Sequence, residues 1–335
     1  MKKPHRLRLG DTIGICSPSS PIAAHCPRRL QRGVEELEKL GFKVKLAKNS
    51  TKAYQYMAGT IDDRVEDLHD LFLDPDVKAI ITTIGGTSSH QLFEKLDFKL
   101  IKNNPKIFMG YSDITSLHLA IHKKTGLVTY LGPAILPQFG EFNGLIDFTK
   151  QYFMDILVDG KPVEYKDSEE FIFETLYWDE KDDRERHRIK NKGSKILNPG
   201  NAKGRILAAN LSTILLLAGT EYFPDMDGCI LCLEDDEGET PAFIDRYLTQ
   251  LRQLGVYEKI NGLVVGRFHE KVGFTEGQLE EIIQRATREY DFPIIYDLDF
   301  GHTDPMFILP NGIEAEFKAN QNGITFRLLE SPVGK

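Results

Sequence analysis

Lys106-Ile-Phe-Met-Gly110-Tyr-Ser112-Asp-Ile-Thr-Ser-Leu-His-Leu-Ala-Ile121 decides how this chain is read. An apolar run of strand type stops at a glycine, and a serine follows two residues later. Apolar residues then recur at Ile114, Leu117, Leu119 and Ile121, the spacing of a helix. Strand, sharp turn and helix hold a serine at the end of a sheet with its backbone N–H at a helix N-terminus. From there its hydroxyl can attack a carbonyl while nearby amides stabilise the oxyanion. Serine is also a preferred helix cap, and the fuller Gly-x-Ser-x-Gly form is absent, with Ile114 in its last position. Nucleophile and cap both fit this stretch alone, and the rest of the chain has to separate them.

Strand and helix alternate outward from it. Leu9 to Ser20 reads as a strand entering a Pro/Ser loop, and Arg28 to Leu40 as a helix stopped by Gly41. Phe42–Leu46 reads as a short strand, Arg64–Phe72 as a helix and Val77–Thr83 as a strand. This alternation predicts an α/β fold, a parallel sheet flanked by helices. The turn Ile84-Gly85-Gly86-Thr87-Ser88-Ser89 then falls at the carboxyl edge of that sheet, where ligands bind, before a helical segment expected over Gln91–Leu96. A Gly-Gly pair lets backbone amides approach a ligand, and it equally suits a tight turn. It matches neither dinucleotide nor P-loop fingerprints, so a nicotinamide or flavin oxidoreductase is not supported.

Bulk properties bound the function. The chain has 335 residues, 41% hydrophobic and 27% charged, enough for two domains with their own cores. A formal charge of −8 presents no basic field to nucleic acid or an anionic membrane. No signal-type apolar region and no membrane-length apolar run is present, which gives a cytoplasmic expectation. Cys16, Cys26, Cys229 and Cys232 are too few and scattered for a disulfide framework. Cys229-Ile-Leu-Cys232 has metal-type spacing but lies in an apolar run with no second ligand pair, so buried strand thiols are expected.

Composition changes near Lys166, and the charged stretch to Lys195, with the only tryptophan at Trp178, reads as a linker and long excursion. The expected division is 1–160 for an N-terminal domain, 161–203 for the linker and loop, and 204–335 for a C-terminal domain. In the last, the apolar run ending at Glu234 and the turn Gly301-His302 repeat the pattern of Ser112: a polar residue at a strand end followed by a turn. Glu234 also opens the acidic run Asp235, Asp236, Glu237, which fits a solvated loop, and His302 is one of nine histidines. Serine, acid, histidine is the chain order of one large class of serine hydrolases.

Pro18-Ser-Ser20, Tyr56-Met-Ala-Gly-Thr-Ile-Asp-Asp-Arg64, Ile84-Gly-Gly86, Phe108-Met-Gly-Tyr-Ser112-Asp113, Leu233-Glu-Asp235, Asp245-Arg-Tyr-Leu-Thr-Gln-Leu251 and Gly301-His302 form an ordered set. It resembles the LD-carboxypeptidase and microcin C immunity family of serine peptidases over nearly the whole chain outside residues about 140–203. The resemblance implies a flavodoxin-like N-terminal domain with a nucleophile elbow, a smaller C-terminal α/β domain with a mixed sheet, an active site between them, and a homodimer. It implies Ser112 as nucleophile, His302 as general base and acid, and Glu234 as the acid orienting the imidazole. It further implies the amides of Gly86 and Asp113 as oxyanion hole, with no cofactor and no metal. Where relatives carry Gly-Gly-Asn-Leu, this chain has Ala208-Ala-Asn-Leu211, and alanine suits a positive-φ turn less well.

The two branches of the family differ in substrate. One trims terminal D-alanine from a murein tetrapeptide; the other cleaves the acyl bond joining an aminoacyl or peptidyl group to a modified adenylate. The long excursion with Tyr177-Trp178, able to stack on a base, favours the second, while packing of the linker by Trp178 fits equally. Gly85 and Trp178 are then the substrate-binding candidates. A flavodoxin-like protein that binds a small molecule without chemistry is the reading from another class.

Overall fold

The computed structural model describes residues 1–335. In its first half, β1 (Thr12–Cys16), β2 (Lys43–Leu46), β3 (Val77–Thr82), β4 (Ile107–Gly110) and β5 (Thr129–Leu131) lie parallel in the spatial order β5-β4-β3-β1-β2. Helices α1 (Ile22–His25), α2 (Pro27–Lys39), α3 (Ile61–Leu73), α4 (Phe98–Asn103), α5 (Thr115–Thr125) and α6 (Asp147–Phe153) connect and flank them. This is the flavodoxin-like order. Its direction of winding reverses between β1 and β3, so the loops after those strands open a crevice at the carboxyl edge.

Local chemistry explains the boundaries. Leu30, Gly33 and Leu37 form the buried stripe of α2, and α3 starts at a capping box between Thr60 and Asp63. The helix expected over 91–96 is a single turn at Ser89–Leu92, because Asp97 caps a new helix, α4, by accepting from the Leu100 N–H.

The excursion is more structured than its composition suggests. It contains β6 (Glu164–Tyr165), the hairpin β7 (Glu170–Phe171) and β8 (Ile189–Lys190), and β9 (Lys195–Asn198). After it come β10 (Gly200–Asn210), α7 (Leu211–Leu215), β11 (Ile230–Glu234), α8 (Pro241–Gln253), β12 (Gly262–Gly266), α9 (Gln278–Thr287) and β13 (Ile294–Leu298). The chain ends with β14 (Leu309–Asn311), β15 (Glu314–Asn320) and β16 (Gly323–Leu328). The second sheet runs β6-β16-β15-β10-β11-β12-β13-β9, with β10 to β13 parallel and the outer strands antiparallel. Thus β6 and β9, from the segment read as linker, belong to the second sheet. In the other direction, β14 crosses to the first sheet and pairs antiparallel with β5, Leu309 opposite Leu131.

Ala208 and Ala209 are buried in β10 and neither has positive φ, so no glycine-requiring turn exists there. Asn210 ends the strand and caps α7 by accepting from the Thr213 N–H. The core is continuous across the two sheets: Ile13, Ile15 and Tyr130 of the first share one buried cluster with Phe307, Phe317 and Phe326. All four cysteines are free and buried, and burial pushes the Cys229 thiol up to about 12. No helix is long and apolar enough to cross a membrane.

Candidate active site

Ser112 follows β4 by two residues and opens a short helical turn leading into α5. Its φ is +63°, a left-handed conformation unusual for a residue with a side chain. Such strain costs about 1–3 kcal/mol and persists only where the surroundings enforce it. One neighbour leaves room for it: a Cβ on Gly85 would stand 2.7 Å from Ser112 Cβ, 3.0 Å from its Oγ and 3.2 Å from the Asp113 nitrogen. Only glycine allows the two turns to approach so closely. The backbone N–H groups of Gly86 and Asp113 have no hydrogen-bond partner in the protein. Ser112 is half-buried, and Gly86 lines the same cleft.

Asp113 acts through its side chain as well. Its Oδ2 accepts from the Ser19 hydroxyl at 2.6 Å and from the N–H groups of Ser88 and Ser89 at 3.0 and 2.9 Å. This joins the loops after β1, β3 and β4. Buried Arg64 braces the same loops from α3, donating to the carbonyls of Pro18 and Ser88 at 2.9 and 3.1 Å. From beneath, His118 bonds the Gly110 carbonyl at 2.9 Å. Burial lowers its pKa to about 4, so the neutral ring donates from Nε2.

The second sheet supplies the other two residues. Glu234 ends β11, fully buried, and its Oε2 accepts from His302 Nδ1 at 2.6 Å. His302 stands in the turn after β13, next to Gly301, which has φ +104°; a Cβ there would lie 2.7 Å from Glu234 Oε2. Glycine is thus what lets the carboxylate reach under the ring. Burial alone depresses the imidazole, but the Glu234 charge and hydrogen bond, with smaller contributions from Asp236 and Glu237, overcome it and raise His302 to about 9. Tyr111 packs edge-on against the ring, centroids 5.0 Å apart. Beside Glu234, burial and its neighbour's charge push Asp235 up to about 7, and Asp235 accepts from Asn210 Nδ2 at 2.9 Å.

Ser112, His302, Gly85, Gly86 and Trp178 line one cleft of about 350 Å³, with Glu234 behind the imidazole and the Asp113 side chain turned away into the loops. Ser112 Oγ and the imidazole are not hydrogen-bonded to each other. Contacts of this kind tighten when substrate binds. The excursion forms the far wall through Ile172 to Leu176, Trp178 and Arg186. Trp178 stacks on the Arg29 guanidinium, 4.4 Å from Cζ to ring centroid, whereas Tyr177 is 72% exposed and does not line the cleft. His269, missed in the sequence, fixes this wall by bonding the Phe173 carbonyl at 2.6 Å. Arg29, Gln138 and Arg186 were also missed. They lie in no motif and reach the cleft only through the fold. No group of three or more His, Cys, Asp or Glu side chains is arranged to hold a metal ion.

A strained serine on a flavodoxin-like sheet, facing a Glu–His pair from a second domain, defines a class of two-domain serine peptidases. Residues 13–132 match the profile of the LD-carboxypeptidase N-terminal domain and residues 203–317 that of the LD-carboxypeptidase C-terminal domain. The chain belongs to the LD-carboxypeptidase family. It is 36% identical to the putative carboxypeptidase YocD of Bacillus subtilis, over 92% of this chain and 93% of that protein. It is 33% identical to the microcin C7 self-immunity protein MccF of Escherichia coli, over 95% and 94% of the two chains. The structure of MccF in complex with aspartyl sulfamoyl adenosine superposes with a TM-score of 0.92 at 32% identity, covering 100% of both chains.

Proposed function

We propose that this chain is a serine hydrolase that cleaves the acyl bond between an aminoacyl or peptidyl group and an adenylate-type leaving group. The observation that carries the reading is the one cleft lined by Ser112, Gly86, His302 and Trp178, the one indole of the chain, with the unpartnered Asp113 amide next to Ser112 along the chain. In this mechanism His302 Nε2 takes the Ser112 proton as Oγ adds to the carbonyl, and the amides of Gly86 and Asp113 hold the oxyanion. Glu234 keeps Nδ1 protonated and stabilises the imidazolium, which then protonates the leaving group. Water, deprotonated by His302, releases the acyl group. Trp178 holds a base by stacking, worth about 1–3 kcal/mol. The complex of MccF with aspartyl sulfamoyl adenosine supports the ligand class.

Removal of a terminal D-alanine from a murein tetrapeptide is the second reading, favoured by the family's description. It ranks below the first because a terminal carboxylate finds no free cation in the cleft. Arg29 is paired with Glu141 and Asp182, and Arg186 with Glu141 and Asp304. A role in binding without chemistry leaves the strained φ of Ser112 and the buried Glu234–His302 pair without a use. A homodimer, as the family resemblance implies, and the cytoplasmic location expected from the sequence accompany the proposal.

The test is hydrolysis of an aminoacyl phosphoramidate adenylate and of a murein tetrapeptide by the wild type and Ser112→Ala. Turnover of the adenylate that Ser112→Ala loses by about 10⁴-fold or more supports the proposal. D-alanine release by the wild type alone keeps the mechanism and moves the substrate. Equal inertness of two folded proteins on both substrates would favour the binding protein.

A further inference from the structure

Six charged side chains alternate in sign along one line in the wall of the cleft, all but Arg32 largely buried. Arg32 bonds Asp182; Asp182 Oδ2 accepts from Arg29 at 3.0 Å; Arg29 reaches Glu141 Oε2 at 3.2 Å. The Nε of Arg186 lies 2.6 Å from the same Glu141 oxygen, as an ion-pair contact off the N–H axis, and its other arm donates to Asp304 Oδ2 at 2.5 Å. Arg29 is 1% exposed, and the Asp182, Glu141, Arg186 and Asp304 side chains are at most 12% exposed. Three cations and three anions neutralise one another, so each pair is retained only because its partners stay in place.

The line joins four separate parts of the fold. Arg29 and Arg32 lie on α2, Glu141 follows β5, and Asp182 and Arg186 belong to the excursion that carries Trp178. Asp304 is two residues beyond His302. From Asp304 the connection continues to the imidazole itself. Gln138 Nε2 donates at 3.2 Å both to Asp304 Oδ1 and to the Tyr111 phenol, and Tyr111 packs against the His302 ring. The Ile172 N–H also donates to the Asp304 carbonyl at 2.7 Å, so Asp304 receives the excursion at two points.

We infer that Arg186 is a positioning residue that clamps the Trp178 wall of the cleft to the His302 turn, so that the stacking ring and the catalytic imidazole are held by one device. Its fork is filled by two carboxylates, which leaves it no role as a free anchor for substrate. The inference rests on the hydrolase reading for its kinetic arm alone; the clamp itself is a property of the unliganded fold.

Because Trp178 is the only tryptophan, its fluorescence reports the wall directly. The experiment compares the wild type, Arg186→Gln and Arg186→Lys as full chains. In the substrate-free Arg186→Gln protein, Trp178 emission moves to the red and acrylamide quenching rises, and kcat on the aminoacyl adenylate falls about 100-fold, the loss typical of a misplaced catalytic group. Arg186→Lys keeps the charge but cannot bridge two carboxylates in one plane, so it restores both signals only in part. A rise in KM with kcat and Trp178 quenching both at wild-type values would overturn the clamp and make Arg186 a substrate contact. Full recovery by lysine would reduce it to a source of charge and also overturn the proposal. Should Arg186→Gln fail to fold by circular dichroism, Arg186→Lys alone carries the comparison. If the wild type turns over neither substrate class, the hydrolase reading fails, while the quenching comparison still decides whether the clamp exists.

Discussion

His302 combines two opposite pH dependences. Held at about 9 by Glu234, with Asp236 and Glu237 adding and Asp235 nearby, it is mostly protonated at neutral pH and therefore mostly unable to accept the Ser112 proton. The proposed mechanism thus predicts kcat/KM rising about tenfold per pH unit well below the pKa and levelling near 9. Stability runs the other way. A histidine raised above its unfolded value of about 6.5 contributes its full stabilisation below that pH and loses it as pH climbs through the folded pKa. Asp235, raised to about 7, acts in the same direction but in a lower window, between its ordinary carboxyl value of about 3.9 and 7. Thermal unfolding of the wild type should therefore shift down between pH 7 and 9 as activity climbs, and Asp236→Asn with Glu237→Gln should move the activity limb to lower pH. A flat profile from 6 to 9 would remove His302 from the role of base. That Ser112, Glu234 and His302 could be picked from the sequence reflects a local signal each carries, a polar residue ending an apolar run. Arg186, Gln138 and His118 carry none, because their function comes from neighbours 8 to 166 residues distant.

The parallel strands were legible because a strand buried on both faces is a continuous apolar run, as in Ile230–Glu234, and the helices because α2 and α8 repeat their apolar positions. The excursion was not, since β6, β7 and β8 are only two residues long, too short for any period. Likewise Leu309–Asn311 has three residues, and nothing in its pattern says that it returns to the first sheet. What orders the excursion is tertiary. Asp179, itself at φ +60°, accepts from the N–H groups of Arg28 and Arg29 at 2.7 and 2.8 Å, capping α2 from 150 residues away. Asp179→Ala should lose about 0.5–2 kcal/mol in denaturant titration. It should also raise Trp178 quenching, since the cap and the ring share one turn. A normal unfolding midpoint with normal quenching would mean the clamp residues alone seat the wall.

In the proposed mechanism the two sheets divide the chemistry: nucleophile and oxyanion donors from one, acid and base from the other. Thr115 Oγ1 on α5 accepts the Asn210 N–H at 2.9 Å, tying the serine helix to the strand beside Glu234. The charge of the assembled cleft follows from its pairs. Its arginines are neutralised and Glu174 is paired with Arg184, but Asp236 and Glu237 have no cationic partner, so the mouth facing His302 is negative within a protein of net charge −8. Like charge slows the approach of an anionic substrate, and salt relieves this because the screening length falls from about 10 Å at 0.1 M to about 3 Å at 1 M. With matched aminoacyl adenylates, kcat/KM for a lysyl group should exceed that for an aspartyl group at low salt. Added sodium chloride should narrow the gap by raising the aspartyl value. Asp236→Asn with Glu237→Gln should narrow it in the same way without salt. If the aspartyl substrate were preferred at low ionic strength, the acyl group would have to lie away from these two carboxylates, with the leaving group at this end of the cleft.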